Sequence, residues 1–387
     1  MTQQIINIGS AANDGTGDPL RTSFVKTNAN FTELYAYAAP LDALAYNGIQ
    51  VNGSFDVSQE KAGSGTTANG GYPCDNWRLY FVGTMAITAA KTGLLIAGFP
   101  ASLGLSVQTA QVSLGASDVA QIYQSIEGYR VARLAWGTAN AQPITLGFWT
   151  SHHRPGLYSG TVLNSAGNRC YAFTYTQSAA DVGQYNVVTI PGDTAGVWAT
   201  DNTVGMNVVF ALAAGSSATA PSANTWLAAN YSAAPGQVNA VAATSDAFRI
   251  TGVVVLPGIE APSAARSAFI MRPFDQELVT CKRYWESSWN YGVIPGGWTA
   301  GLDQLVFAHS SGSFSQVVPY VQKRAVPTVT IFDNVGAANK VAYYAAGWAS
   351  GGAISGGAFA KDKFAFVQHG IAGSIFTNFA YTADARL

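Results

Sequence analysis

SAFIMRPFDQELVTCKRYWESS, residues 267–288, is the one clear helical pattern within a long run of strand-like sequence. Phe274, Leu278, Cys281 and Trp285 fall at i, i+4, i+7 and i+11, an apolar stripe along about three turns. Pro273 suits the first helical position. Asp275 and Glu277 lie toward the positive end of the helix dipole, Lys282 and Arg283 toward the negative end. The spacing therefore predicts a short helix docked on a core. Just before it, Phe248, Ile250, Gly252, Val254 and Leu256 alternate with Arg249, Thr251, Val253 and Val255, a strand whose two faces are both fairly apolar. Strand-like runs resume after Ser288, so the helix reads as a clasp between two β-domains.

Working upstream, residues 48–265 show short apolar runs separated by Gly, Asn, Ser and Pro turns, the pattern of a β-sandwich. Strands are expected at Ser106 to Leu114, Ile144 to Thr150, Arg169 to Thr176 and Val204 to Ala213. Tyr171, Phe173 and Tyr175 put a ring at every second position, a ladder that reads as core or subunit packing, with a sugar-stacking platform as the alternative. Downstream, strands are expected at Gln304 to Ala308, Gln316 to Val321, Val326 to Phe332, Lys363 to Gln368 and Ser374 to Tyr381. Gly347 to Gly357 reads as a mobile or tightly turned tip. The fold class is all-β with a short N-terminal helix, a larger sandwich followed by a smaller one. The expected divisions are 1–45, 46–265, 266–288 and 289–387, with Pro40 to Asn47 as a linker.

At the N-terminus, Asp18 is a good N-cap and Pro19 a good first residue for a helix. Leu20, Phe24, Phe31 and Leu34 form a stripe interrupted by Thr27 or Asn28. A helix of about 18 residues is marginal alone. The stripe needs a partner, either further copies of the chain in a coiled coil or the downstream domain.

Charged residues make up only 11% of the 387, against about 25% in a typical domain. Such a chain hides surface in an assembly or presents a Ser/Thr/Asn/Gln/Gly exterior. The formal net charge of −1 argues against a broad nucleic-acid footprint. Arg266, Arg272, Lys282 and Arg283 cluster in sequence and read as a solvated helix-end face. Cys74, Cys170 and Cys281 are far apart and odd in number, which suggests folding in a reducing compartment without disulfides. No secretory signal and no membrane span is expected.

Two motifs carry a resemblance. Residues 6–34 follow the pattern INIGxxANDGTGDPLRxxFxKxNxNFxEL, and Arg272-Pro273-Phe274, Glu277-Leu278 and Cys281-Lys282-Arg283-Tyr284-Trp285 form a second. Both resemble motifs of tailed-bacteriophage tail-fibre and receptor-binding proteins. Asn52-Gly53-Ser54-Phe55 and Asp75-Asn76-Trp77-Arg78-Leu79-Tyr80 resemble the opening of that family's jelly-roll, which is similar to a carbohydrate-binding module and keeps the Trp in its core. Ala383-Asp384-Ala385-Arg386-Leu387 resembles the family's usual ending. The chain departs from the pattern at Thr27, Lys282 and Trp285. The resemblance implies a homotrimer, made in the host cytoplasm, whose residues 1–40 bind virion tail or baseplate proteins.

No common catalytic, nucleotide or zinc motif occurs. His152 and His153 are neighbours that a strand would point to opposite faces, so no metal is expected there. No catalytic residue or cofactor is expected. Glycan binding requires rings over sugar faces and neutral groups for hydroxyls, and the 12% aromatic content permits it. Trp289, Tyr291 and Trp298, in the Gly-rich loop after the clasp, are the candidate contact residues for a host-surface glycan. The competing readings are rings that cap the junction between the sandwiches, a purely structural virion protein, and a virion glycan-degrading enzyme.

Overall fold

A computed structural model describes residues 4–11, 14–37, 48–296, 304–307, 314–344, 347–368 and 376–387. The chain forms two compact units, Met1–Asn47 and Gly48–Leu387. The expected linker lies outside the described residues.

In the first unit, helix α1 spans Leu20–Tyr37. Asp18 does not cap it. Its carboxylate accepts instead from the Asn7 backbone N–H at 2.9 Å and from Lys26 Nζ at 2.6 Å. Asn30 exchanges two hydrogen bonds with the Gln4 backbone, and Lys26 Nζ also donates to the Ile5 carbonyl. Asp14 accepts backbone N–H groups from Ser10, Ala11 and Thr16, which hold its carboxyl well below the usual range and close the turn. The polar positions of the first motif thus tie an extended arm onto one helix face. Leu20, Phe24 and Phe31 remain exposed; the Leu34 side chain lies outside the described set.

The second unit opens with a jelly-roll β-sandwich of two antiparallel sheets. One orders β1 (Arg78–Val82), β4 (Val119–Glu127), β9 (Val204–Ala214), β6 (Gly156–Leu163), β7 (Cys170–Gln177) and β10 (Trp226–Leu227). The other orders β2 (Ala86–Thr92), β3 (Ser102–Thr109), β11 (Ala247–Pro257), β5 (Ile144–His152) and β8 (Gln184–Ile190). Between them lies a core of Trp77, Phe148, Tyr158, Phe173, Phe210 and Phe248 with many Val, Ile and Leu side chains. The ladder Tyr171, Phe173, Tyr175 belongs to this core. The helix α2, Gly128–Val131, follows β4. The strand expected before the clasp is β11, bulged between Thr251 and Val254, where Gly252 takes φ 63°. Ahead of β1, residues 49–57 thread along the sandwich, and Gly53 passes so close that a Cβ would meet the Val253 carbonyl oxygen at 2.0 Å.

The clasp differs from expectation. Only α3, Phe274–Lys282, is an α-helix, preceded by a 3-10 segment at Ala264–Ile270, and Pro273 is its N-cap. Trp285 starts β12 (Trp285–Ser287) because residues 285–287 pair with β19 (Phe376–Asp384), whose ladder captures their backbone groups. Within α3, Cys281 is buried and Phe274 is 44% exposed. Glu277, read as a dipole partner, is buried instead.

The smaller β-structure is built around β19. Its first half lies between β13 (Gln304–Phe307) and β16 (Lys340–Tyr344), its second between β12 and β15 (Thr328–Phe332). The sheet continues through β17 (Trp348–Phe359) and β18 (Lys363–Gln368) to β14 (Phe314–Pro319). It folds over a core that includes Val318, Ile331, Phe364, Phe379 and Tyr381. The tract expected to be a tip is β17, held on both sides by β16 and β18. Glycine lowers intrinsic strand preference, but two partner strands supply ladder hydrogen bonds that override it.

Candidate functional site

Polar contacts join the two β-structures. Glu127 at the end of β4 accepts two hydrogen bonds from Arg283, at 2.9 and 2.6 Å, and one from the Tyr284 hydroxyl at 2.9 Å. These bonds raise the Arg283 pKa above its ordinary value. Arg272 donates to Glu277 and to the carbonyls of Gly48 and Gln50, and Glu277 accepts the Asn52 N–H at 2.7 Å. Arg272 and the half-buried Arg283 are therefore clamps, correcting the solvated face read from sequence. Apart from Glu277, five residues from Arg272, their partners lie far along the chain, where local spacing gives no sign of them.

Residues 383–387 complete the junction. Ala385 N–H donates to the Tyr284 carbonyl, and Arg324 donates to the carbonyls of Ala385 and Arg386. Arg386 bridges Glu60 and Asp384 and lies 4.1 Å from the Tyr72 ring centroid. Burial opposes its charge, yet the Asp384 and Glu60 carboxylates outweigh that and raise its pKa. Lys323, fully buried, pairs with Glu286 at 2.6 Å.

Beside this junction is a cleft of about 590 Å³. Its floor is the face of β12, β19 and β15 turned away from the core. Antiparallel register places opposed residues on one face, giving the rows Trp285, Asp384, Thr328 and Ser287, Thr382, Thr330. Phe332 continues the β15 row, and Glu60, Lys61, Ile294 and Pro295 form the walls. The cleft combines two rings, three threonine hydroxyls and a balanced set of charges.

The candidate glycan residues do not gather there. Trp289 is buried, its ring 5.5 Å from that of Phe332 in edge-on contact. Tyr291 is 42% exposed, but its hydroxyl donates to the Asp56 carbonyl at 2.6 Å and its ring meets Phe274 at 5.1 Å. Trp298 lies outside the described residues. Trp289 and Tyr291 thus cap the junction, the packing alternative read from sequence. Only the period-two threonines at 328 and 330 hint at the cleft in the sequence, since its other parts come from distant segments.

His152 and His153 diverge as expected of strand neighbours. His152 is buried, stacked on Tyr158 at 3.5 Å, and burial lowers its pKa to about 3. His153 is half-buried and contacts Asp181. Among the described residues no group of three or more His, Cys, Asp or Glu side chains is arranged to hold a metal ion. The three cysteines are buried and unbridged. No described helix is long and apolar enough to cross a membrane.

No known protein family and no curated protein matches the sequence. Among solved structures, similarity extends to the enzymatically active domain of tailspike protein 4 of bacteriophage CBA120. Identity there is 14%, over 55% of this chain and 22% of that one, with a TM-score of 0.29. The family 11 carbohydrate-binding module of Clostridium thermocellum, bound to a β-1,3-1,4-mixed-linked tetrasaccharide, is 10% identical over 50% of this chain and 96% of the module, TM-score 0.26. TmCBM61, bound to β-1,4-galactotriose, is 11% identical over 54% and 98%, TM-score 0.27. At these scores the likenesses carry no argument about function.

Proposed function

We propose that this chain is a receptor-binding appendage of a tailed bacteriophage: a homotrimer, made in the host cytoplasm, attached to the virion through residues 1–40 and turned toward host-surface glycan by its β-structures. The observation that carries the reading is the N-terminal motif. Its polar residues pin the arm to α1 while Leu20, Phe24 and Phe31 stay exposed, the arrangement of a preformed docking piece whose apolar stripe is completed by copies or virion partners. The low charge of 11% fits a chain that hides surface in an assembly. The reading assigns binding without catalysis.

The test is competition. Purified full-length chain should block adsorption of a phage that carries it, and light scattering should give a trimeric mass. Unreduced adsorption at saturating protein would remove the receptor role. A folded monomer at micromolar concentration would remove the trimer, and reducing sugar released from host glycan would remove the non-catalytic assignment.

The alternative of a purely structural virion protein is favoured by one observation, the burial of Trp289. Under that reading the full-length chain fails to compete but is still found in the particle.

A further inference from the structure

We infer that the cleft over β12, β19 and β15 is a binding site for a neutral glycan, an inference that rests on the receptor-binding reading above. Its volume, about 590 Å³, falls within the range of about 300–1,000 Å³ typical of small-molecule sites. On a sheet face, neighbouring side chains stand about 5 Å apart across strands and about 7 Å apart along them. Thr328, Thr330 and Thr382 therefore present hydroxyls on the scale of one sugar ring. Each hydroxyl can both donate and accept, as sugar hydroxyls require. Phe332 and the Ile294–Pro295 wall supply the apolar surface against which the C–H face of a pyranose packs.

Charge decides the class of sugar. Among the described residues the cleft holds two carboxylates, Glu60 and Asp384, and two cations, Lys61 and Arg386, and these are already matched. Lys61 pairs with Glu60 at 3.0 Å, and Arg386 contacts both carboxylates. An acidic sugar would find no unmatched cation among the described lining residues and would face two carboxylates. A neutral sugar can use the carboxylate lone pairs left over from Arg386 without separating an ion pair. The same engagement with Arg386 holds both carboxylates in place as anchored acceptors. Arg386 is itself fixed between Tyr72, Asp384 and Glu60, so little ordering is required on binding.

The experiment uses the full chain on an array of short neutral oligosaccharides and of oligosaccharides carrying uronic or sialic acid. Thr330→Arg, a half-buried position on the cleft floor, fills the site. Phe332→Ala removes the ring, and Val187→Ala, exposed on β8 of the five-stranded sheet, is the control. The expected result is binding to neutral sugars, weakened by about tenfold or more in Thr330→Arg and Phe332→Ala, unchanged in Val187→Ala, with no sugar hydrolysed. Thr330→Arg keeps the test decisive if Phe332→Ala loosens Trp289 and unfolds. Undiminished binding by folded Thr330→Arg overturns this site while leaving glycan recognition standing, and preference for acidic sugars overturns the charge argument. Binding to none of the array overturns the inference, and adsorption competition with the same preparation judges the receptor reading separately.

Discussion

The jelly-roll closes over rings that touch one another: Phe148 lies 5.0 Å from Phe210, and Phe210 6.2 Å from Trp77. The described part of the smaller β-structure packs apolar side chains around Ile331, Phe364 and Tyr381, and beside them stands a buried ion pair, Lys323 with Glu286. Its central strand β19 ends in Asp384, which is tied to Arg386. One body is held mainly by area removed from water, with ion pairs such as Arg154 with Asp246 and Arg169 with Asp193 at its margins. The other carries a pair whose lysine is fully buried, so its value depends on both partners staying in place. Burying a charge pair adds little net stability, but removing one partner is costly because the other charge is stranded. The two bodies should therefore fail in different ways.

The largest effect is expected in the jelly-roll. Trp77→Ala empties a site that is 0% exposed and removes the indole bond to the Asn52 carbonyl at 3.0 Å, at a cost of about 3–5 kcal/mol. Chemical denaturation of the full chain measures it. A loss under about 1.5 kcal/mol would mean that this core does not dominate.

Glu286→Gln should cost about 3 kcal/mol at neutral pH by leaving the buried Lys323 charge without a carboxylate, held only by the neutral Lys282 carbonyl and the Tyr320 ring. Burial already pulls the Lys323 pKa below its ordinary value, against the opposing pull of Glu286. Stability linked to a lowered lysine pKa rises as pH climbs from the folded value toward the unfolded one near 10.5. The variant should therefore recover part of its loss near pH 10, measured by melting temperature. A variant equally weak at both pH values would show that the damage is not electrostatic.

A smaller and pH-confined effect is expected at Asp75, which sits in the junction bonded to Gln59. Burial raises its pKa to about 6, partly offset by the Gln59 hydrogen bonds. Because the folded value lies above the unfolded value near 3.8, this group contributes stability below pH 3.8 that is lost as pH rises through 6. The swing is on the order of 2–3 kcal/mol. His152 works in the opposite direction, since its folded value of about 3 lies below 6.5 and acidification through that window destabilises. The clean readout is a difference: wild type minus Asp75→Asn should favour wild type increasingly between pH 7 and pH 4. A flat difference would place Asp75 among ordinary, hydrated carboxylates.

Much of the fold was legible where the signal is periodic and local. The alternation at Phe248–Leu256 lies within β11, the expectation for Lys363–Gln368 coincides with β18, and Trp77 is in the core as expected. Tyr171, Phe173 and Tyr175 face the core, the packing alternative for that ladder. The misreadings share a cause. Trp285 continues the helical spacing yet pairs with Asp384 in a strand, and the Gly-rich run at 347–357 lacks strand preference yet lies between two partners. In both places hydrogen bonds offered by a distant strand outweigh what the local residues prefer.

The site was less legible for the same reason. Trp289 and Tyr291 attracted notice as rings among glycines, and the structure uses them to close the junction. The cleft instead takes Glu60 from the start of the jelly-roll, Thr330 from β15 and Asp384 from β19.

Residue order alone determined the period-two segments, and with them an all-β chain with a short N-terminal helix, because the pleat and the helical turn are properties of a few consecutive residues. Only the tertiary structure decided which charges meet. Glu127 and Arg283 stand 156 residues apart in the chain, and nothing in either neighbourhood distinguishes a solvated guanidinium from one held against a buried carboxylate. That distinction depends on how much water the fold leaves around the pair.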